Sequence, residues 1–239
     1  MIWMDQLTHF STLDALALGG LVLGWLGLGL LIENPPRARP SVTKLMAQYR
    51  REWMVQMVAR DARIFDAQLL GSLRQGTAFF ASATLIAIGG ALAMLGDLER
   101  VMGIADDLTP TTGPIIVWEV KILVILVFLA NAFLKFVWSN RLFGYCAVIM
   151  AAVPNDPGDA AALPRARKAA EINITAARGF NRGLRAIYFA LSAAAWLLGP
   201  EALIGATVIT CLMLLRREFA SQSRAVLLQP DRPDENTHT

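Results

Sequence analysis

The stretch that most constrains this chain is the apolar run at residues 115–138, which reads IIVWEVKILVILVFLANAFLKFVW. Four polar side chains interrupt it: Glu119, Lys121, Asn131 and Lys135. Trp118 and Trp138 lie twenty residues apart, about 30 Å along an α-helix. That length matches the hydrocarbon thickness of a bilayer, and tryptophan collects at both of its boundaries. The run therefore predicts a transmembrane helix.

The remaining apolar runs predict an all-α, polytopic transmembrane helix bundle with four or five spans in one membrane domain, residues 1–220. Hydrophobic residues make up 55% of the chain and its mean hydropathy is +0.47, above the balance of soluble domains. The predicted spans cover residues 13–32, 76–95, 115–138, 186–198 and 201–215. The last two can also be read as one tilted span over 186–215. The hairpin, turning at Gly199-Pro200, is favoured because it keeps Arg216 inside.

The distribution of charge predicts the orientation. No lysine or arginine precedes Arg37, and basic residues then occur in blocks at 37–74, 141–185 and 216–232, whereas the loop at 97–114 is acidic. Basic residues near spans mark the cytoplasmic side. We therefore expect a protein integral to the cytoplasmic (inner) membrane, with its N-terminus outside and its C-terminus inside. Charges arranged around spans in this way argue against a nucleic-acid partner.

A long cytoplasmic helix is predicted between the first two spans. Over residues 43–75 apolar side chains such as Leu45, Trp53 and Met57 recur at near-helical spacing, and arginines occupy much of the rest. Such a helix can lie on anionic lipid headgroups or pack against its own copies. The polar segment 221–239 is predicted to be a disordered tail.

Two faces of small residues run along the first and second spans. They are formed by Gly20, Gly24 and Gly27, and by Ala83, Ala87 and Gly90. In lipid, such faces let helices approach closely. They serve either packing within one protomer or a contact between copies of the chain.

The run GFNRGLRAIYFALSAAAWLLGP at residues 179–200 resembles a segment of a family of multi-spanning membrane proteins, domain of unknown function 599 (DUF599). Similar features occur around Trp53, in Leu73-Arg74-Gln75 and in the Trp118-Glu119-Val120-Lys121 run, so the resemblance covers about residues 13–219. It implies a membrane fold and no assigned activity.

The third span carries a possible polar seam. Lys121, Asn131 and Lys135 share one helix face with Val124 and Phe128. One hypothesis is a route for a small solute or ion. The alternative is two lysines that snorkel to opposite boundaries and an asparagine that binds a neighbouring helix.

Polar residues also stand at the predicted inner entrances of the spans: Arg74, Asn181, Arg182 and Arg185. They are candidates for binding lipid phosphate or a cytoplasmic ligand. The alternative is that the arginines only set topology and that Asn181 caps or tethers a helix.

Catalytic chemistry finds no support in the sequence. The two histidines, His9 and His238, lie near the termini, and Cys146 and Cys211 lack metal-ligand spacing. We expect no metal, no cofactor and no enzymatic activity. The sequence favours a non-catalytic assembly or accessory protein that forms a homo-oligomer or joins a larger membrane complex among anionic lipids. The alternative is a transporter or channel that uses the seam.

Overall fold

The computed structural model describes residues 10–108 and 114–231, and every regular element in them is a helix, which confirms the all-α class. The helices are α1 Thr12–Glu33, α2 Val42–Val58, α3 Ile64–Gly96, α4 Leu98–Leu108, α5 Ile115–Ala151, α6 Ala162–Ala194, a 3₁₀ turn Ala195–Leu198, α7 Pro200–Phe219 and α8 Gln222–Leu227.

Three of these helices, α1, α3 and α5, are long and apolar enough to cross a membrane. They contain the three spans predicted over residues 13–32, 76–95 and 115–138. The predicted fourth and fifth spans fall in α6 and α7, which are not in that group. Their crossing of a membrane stays a prediction.

Helix α5 makes the two most extensive helix contacts of the bundle, with α6 and with α3. Helix α1 packs mainly against α7 and also against α6. The apolar core between these helices includes Leu21, Phe128, Phe189 and Leu203, all nearly or fully inaccessible to solvent. Helices α5 and α6 thus form the centre on which α1, α3 and α7 are arranged.

Contacts between distant parts of the chain define one end of the bundle, which we call the basic end. Ser41 Oγ donates to the carbonyl of Ile32 (2.8 Å) and Arg224 Nε donates to that of Pro40 (2.9 Å). Arg51 of the first basic block pairs with Glu171, which lies among the basic residues of the second block. The basic segments that flank the apolar runs therefore meet at the same end.

The prediction of one amphipathic helix over residues 43–75 is wrong. The helix is interrupted between Val58 and Ile64, and the second half of the predicted helix forms the first part of α3. The break is held by Asp66, which is fully buried, pairs with Arg60 and accepts a hydrogen bond from Trp53 Nε1 (2.6 Å). These bonds tie the end of α2 to the start of α3.

Helix α5 extends thirteen residues beyond the predicted end of its span, as far as Ala151. Backbone carbonyls just after its last turn accept hydrogen bonds from two arginines of other segments. Arg63 donates to the carbonyls of Val153 and Pro154, each at 2.7 Å, and Arg165 donates to that of Ala152 (2.7 Å). Cations that donate to the C-terminal carbonyls of a helix also complement its dipole.

The chain turns sharply after α6. Gly199 has a φ of +123°, which favours glycine, and Pro200 begins α7. Ser192 Oγ on α6 lies 2.8 Å from Thr210 Oγ1 and 3.3 Å from the carbonyl of Ala206 on α7. These contacts show two helices folded against each other, so 186–215 is a hairpin and not one continuous helix.

Two further segments differ from the predictions. The acidic stretch at 97–114 was predicted to be a loop but contains α4, Leu98–Leu108. The tail 221–239 was predicted to be disordered, yet Gln222–Leu227 forms a short helix capped by Ser221. The residues from 232 onward, and the histidines near both termini, lie outside the described part of the chain.

Candidate functional site

The predicted seam on α5 begins at Lys121, which does not reach solvent. The residue is only 4% exposed. Its Nζ lies 5.1 Å from the ring centroid of Trp118 and 5.9 Å from that of Trp196, within the range of cation–π attraction. Both tryptophans are 1% exposed. The expectations that Lys121 snorkels outward and that Trp118 marks a lipid boundary are therefore wrong, because both side chains lie inside the bundle.

Asp14, which was not singled out from the sequence, completes this cluster. Its Oδ1 accepts from Trp196 Nε1 at 2.7 Å, and its Oδ2 accepts from the backbone of Ser11 at 3.0 Å. The Ser11 hydroxyl accepts in turn from the Asp14 N–H, which closes a capping box at the start of α1. Asp14, Trp118, Lys121 and Trp196 form the tryptophan cluster, opposite to the basic end.

Asn131 and Lys135, the other two seam residues, lie apart from the tryptophan cluster. They line a cavity of about 390 Å³ together with Trp25 and Glu33. Phe128 lies between them and Lys121 along α5, and it is 4% exposed. Its ring packs edge-on against Trp25, with centroids 5.2 Å apart. The predicted seam is therefore two separate polar sites with an aromatic layer between them.

Glu33, at the C-terminal end of α1, holds two of the predicted ligand-binding arginines. Arg182 Nε donates to Glu33 Oε1 at 2.8 Å, and the second carboxylate oxygen also accepts from Arg182. Arg185 pairs with the same carboxylate and is 4% exposed. These bonds join α1 to α6, so the structure gives both guanidinium groups a partner within the protein.

Arg74 lies apart from the other predicted residues. It lines a cavity of about 340 Å³ with Arg63 and Asn155, and the walls include the apolar side chains of Leu70 and Met150. Arg63 is already bonded to backbone carbonyls after α5. The structure thus does not bring Arg74 together with Arg182 and Arg185.

A third cavity lies between α2, α3 and α6, with a volume of about 290 Å³, and we call it the basic cavity. Four basic side chains line it, Lys44, Arg50, Arg51 and Arg178, with one carboxylate, that of Glu33. Its remaining lining includes Asn181 and the apolar side chains of Ile32, Met46, Leu73, Phe143, Ile174 and Phe180. Of the predicted inner-face residues, only Asn181 lines this cavity.

Two of the basic side chains are held by α6. Arg51 Nε donates to Glu171 Oε1 at 2.6 Å; this hydrogen bond lowers the pKa of Glu171 and raises that of Arg51. Arg50 donates to Oδ1 of the fully buried Asn173, whose Nδ2 lies 3.6 Å from Cys146 Sγ. Burial lowers the pKa of the Arg50 guanidinium, because desolvation disfavours its charged form.

The two small-residue faces differ in their surroundings. On α1, Gly24 packs inside the protomer, since a Cβ there would lie 3.0 Å from Cys211 Sγ. Gly20 and Gly27 have open space instead. On α3, Ala83, Ala87 and Gly90 are all exposed on the surface of the protomer. Packing within the protomer therefore accounts for Gly24 and leaves the α3 face uncovered.

Comparison with protein families gives a match to the family described as "Protein of unknown function, DUF599" over residues 16–223. Neither the curated proteins nor the solved structures contain a match. The matched range runs from the second turn of α1 into α8, so it includes the tryptophan cluster except for Asp14, and all of the basic cavity. The chain belongs to the DUF599 family.

Proposed function

We propose that this chain is a non-catalytic membrane protein that self-associates, acting as an assembly or accessory component of the cytoplasmic membrane. The observation that carries the proposal is the exposed small-residue face of α3, formed by Ala83, Ala87 and Gly90. This α3 face is the principal contact between copies in the proposal.

The surroundings of the α3 face support this role. In the apolar 18-residue stretch of α3 only 11% of the residues are buried, compared with 39% in that of α5. Large side chains project beside the small ones: Phe79 is 66% exposed and Ile86 is 76% exposed. In lipid, helices associate through close packing rather than through the hydrophobic effect, and small residues beside large ones provide that packing.

The orientation in the membrane is part of the proposal. Because the basic segments meet at one end of the bundle, we place that end on the cytoplasmic side, in contact with anionic lipids. The start of α1 would then lie outside and the end of α7 inside. Labelling of single cysteines introduced at Arg100 and at Arg39, with a reagent that cannot cross the membrane, tests the assignment. Labelling of the Arg39 position in intact cells would reverse it.

Oligomer size tests the self-association. The wild-type protein, the Ala87→Leu variant and a Gly205→Leu control are purified in a mild detergent, and their masses are measured by light scattering with detergent correction. Gly205 is a matched control because it is also an exposed small residue with open space around it, but on α7.

We expect the wild-type protein and Gly205→Leu to form an oligomer of the same size, and Ala87→Leu to dissociate. A wild-type protein that is monomeric at all accessible concentrations would overturn the proposal. Equal dissociation of both variants would remove the α3 face as the contact.

Nothing in the described part of the chain separately supports the alternative, a small-solute or ion transporter. The predicted seam is divided by Phe128, which packs against Trp25 on one side and stacks near Phe189 on the other, at a centroid distance of 6.3 Å. Lys121 is enclosed by two indole rings. Self-association is therefore the function that the geometry supports better.

A further inference from the structure

The basic cavity between α2, α3 and α6 has more positive charge than the protein neutralises. Of its four basic side chains, Arg51 is paired with Glu171. The one carboxylate in the lining, Glu33, is paired with two arginines of α6. Within residues 10–108 and 114–231, no carboxylate lies at ion-pairing distance from Lys44, Arg50 or Arg178.

Arg50 is the most constrained of these three cations. It is half-buried, and its guanidinium donates to the neutral amide oxygen of Asn173. The Asn173 side chain is fully buried, and its Nδ2 lies near Cys146 Sγ, an orientation that leaves Oδ1 facing Arg50. A guanidinium that is partly removed from water without a counter-charge is unfavourable, and a bound anion offsets this penalty.

The size and walls of the cavity limit what the anion can be. A volume of about 290 Å³ is near the lower end of small-molecule pockets, about 300–1,000 Å³, enough for a tetrahedral oxyanion and part of the group that carries it. Guanidinium groups match phosphate oxygens in bidentate geometry. Much of the remaining lining is apolar and includes Leu73, Phe143 and Phe180, which we call the apolar wall.

We propose that the basic cavity binds a phosphate group, held by Arg50, Arg178 and Lys44, with the carrier of the phosphate against the apolar wall. Phosphate chemistry of this kind is found both in anionic lipid headgroups and in soluble phosphate compounds. The wall residue Leu73 lies four residues before Thr77 on α3, just ahead of the predicted span at 76–95. A lipid whose chains lie along α3 would place its phosphate in this cavity.

Thermal unfolding of the detergent-purified, full-length protein tests the proposal. The unfolding temperature is measured with added phosphatidylglycerol, with phosphatidylcholine, with inorganic phosphate and with pyrophosphate, as a function of concentration. A ligand that binds only the folded protein raises this temperature by mass action. Arg178→Gln is the main variant because Arg178 is exposed, so its loss does not disturb the core. Arg167→Gln, an exposed arginine of α6 outside the cavity, is the matched control.

We expect a phosphate-bearing ligand to stabilise the wild-type protein and Arg167→Gln equally, and to bind Arg178→Gln about tenfold more weakly. Stabilisation by phosphatidylglycerol but not by inorganic phosphate or pyrophosphate assigns the site to a lipid, and stabilisation by the soluble compounds assigns it to a soluble ligand. A second variant, Arg50→Gln, should also lose the ligand effect. Because it removes the donor to the buried Asn173 Oδ1, its unfolding temperature with ligand is compared with its own value without ligand.

Two results would overturn the proposal. One is the absence of stabilisation by all three anionic ligands, phosphatidylglycerol, inorganic phosphate and pyrophosphate. The other is an equal loss of binding in Arg178→Gln and Arg167→Gln, which would indicate attraction to the general positive charge of this end. Neither result depends on whether the chain self-associates.

Discussion

Gly183 on α6 lies directly against the ring of Phe136 on α5, so closely that a Cβ at Gly183 would be 2.7 Å from Phe136 Cε1. The ring cannot easily move aside. Phe136 is fully buried, and its centroid is 5.6 Å from that of Phe80 and 5.5 Å from that of Phe180. The packing of the two central helices at this point therefore depends on the absence of a side chain at Gly183.

Gly183→Ala is expected to destabilise the protein by about 1–3 kcal/mol, the usual range for an extra methyl group in a packed core. Thermal or denaturant unfolding in detergent measures the change. Gly144→Ala is the control, since a Cβ at Gly144 on α5 meets no neighbour within 4 Å, and alanine is the better helix former. Equal losses in the two variants would show that the contact with Phe136 is not the cause.

Stability at acidic pH is expected to depend on Glu171. The hydrogen bond from Arg51 lowers the pKa of this carboxyl from its usual 4.5, so its contribution is fully present above pH 4.5 and is lost as the pH falls through the lowered value. Both side chains are more than half exposed, at 51% and 58%, so the contribution is at most about 0.5 kcal/mol. Unfolding midpoints of the wild type and Glu171→Gln should differ above pH 4.5 and converge once the pH is below the lowered pKa of Glu171. A difference that persists there would contradict the ion pair as its source.

The helical class and the hairpin could be predicted from sequence because they depend on local features. Apolar runs of sufficient length indicate α1, α3 and α5. Gly199-Pro200 carries its own turn chemistry, a positive φ followed by a proline at the first helical position. The family resemblance at residues 179–200 also rests on local sequence, and the family match confirms it.

The break after α2 could not be predicted, because it depends on a tertiary contact. Residues 43–75 have continuous helical periodicity, and no proline or glycine lies between Val58 and Ile64. The break follows from the burial of Asp66, which needs both Arg60 and Trp53 as partners. Periodicity alone gives no sign that these three side chains meet.

The polar sites were missed for a related reason, since their partners lie far apart in the chain. Glu33 and Arg182 are separated by 149 residues, and Asp14 and Trp196 by 182. The sequence singled out Lys121 for a solute route or for snorkelling, and Arg182 for a lipid phosphate or cytoplasmic ligand or for setting topology. It carried no signal for the two carboxylates: Glu33 pairs with Arg182, and Asp14 accepts a hydrogen bond from Trp196, whose ring lies beside Lys121.

The hydrogen bond between Trp196 and Asp14 is expected to contribute about 1.5–3 kcal/mol, the range for a bond to a charged group. Trp196→Phe keeps a ring that can pack beside Phe10, whose centroid is 6.0 Å from that of Trp196, and removes only the N–H group and some volume. A double-mutant cycle with Asp14→Ala separates the two effects. Trp196→Phe should be clearly less damaging in the Asp14→Ala background. Additive losses would contradict the hydrogen bond as the stabilising contact.

Glu33 is expected to contribute far more to stability than Arg182 does, although the two are bonded. Glu33→Gln leaves Arg185, whose side chain is 5% exposed, without its carboxylate. Removal of one partner from a buried pair costs about 3–5 kcal/mol. Arg182→Gln leaves Glu33 still paired with Arg185, and the Arg182 side chain is 45% exposed, so its loss should cost less than about 1 kcal/mol. Unfolding of both variants in the same detergent gives the comparison. Equal losses would mean that Arg185 reaches water on its own. A double variant, Glu33→Gln with Arg185→Met, gives a second check. If Arg185 stays buried without its carboxylate, the added Arg185→Met should restore stability, and no recovery would contradict this explanation.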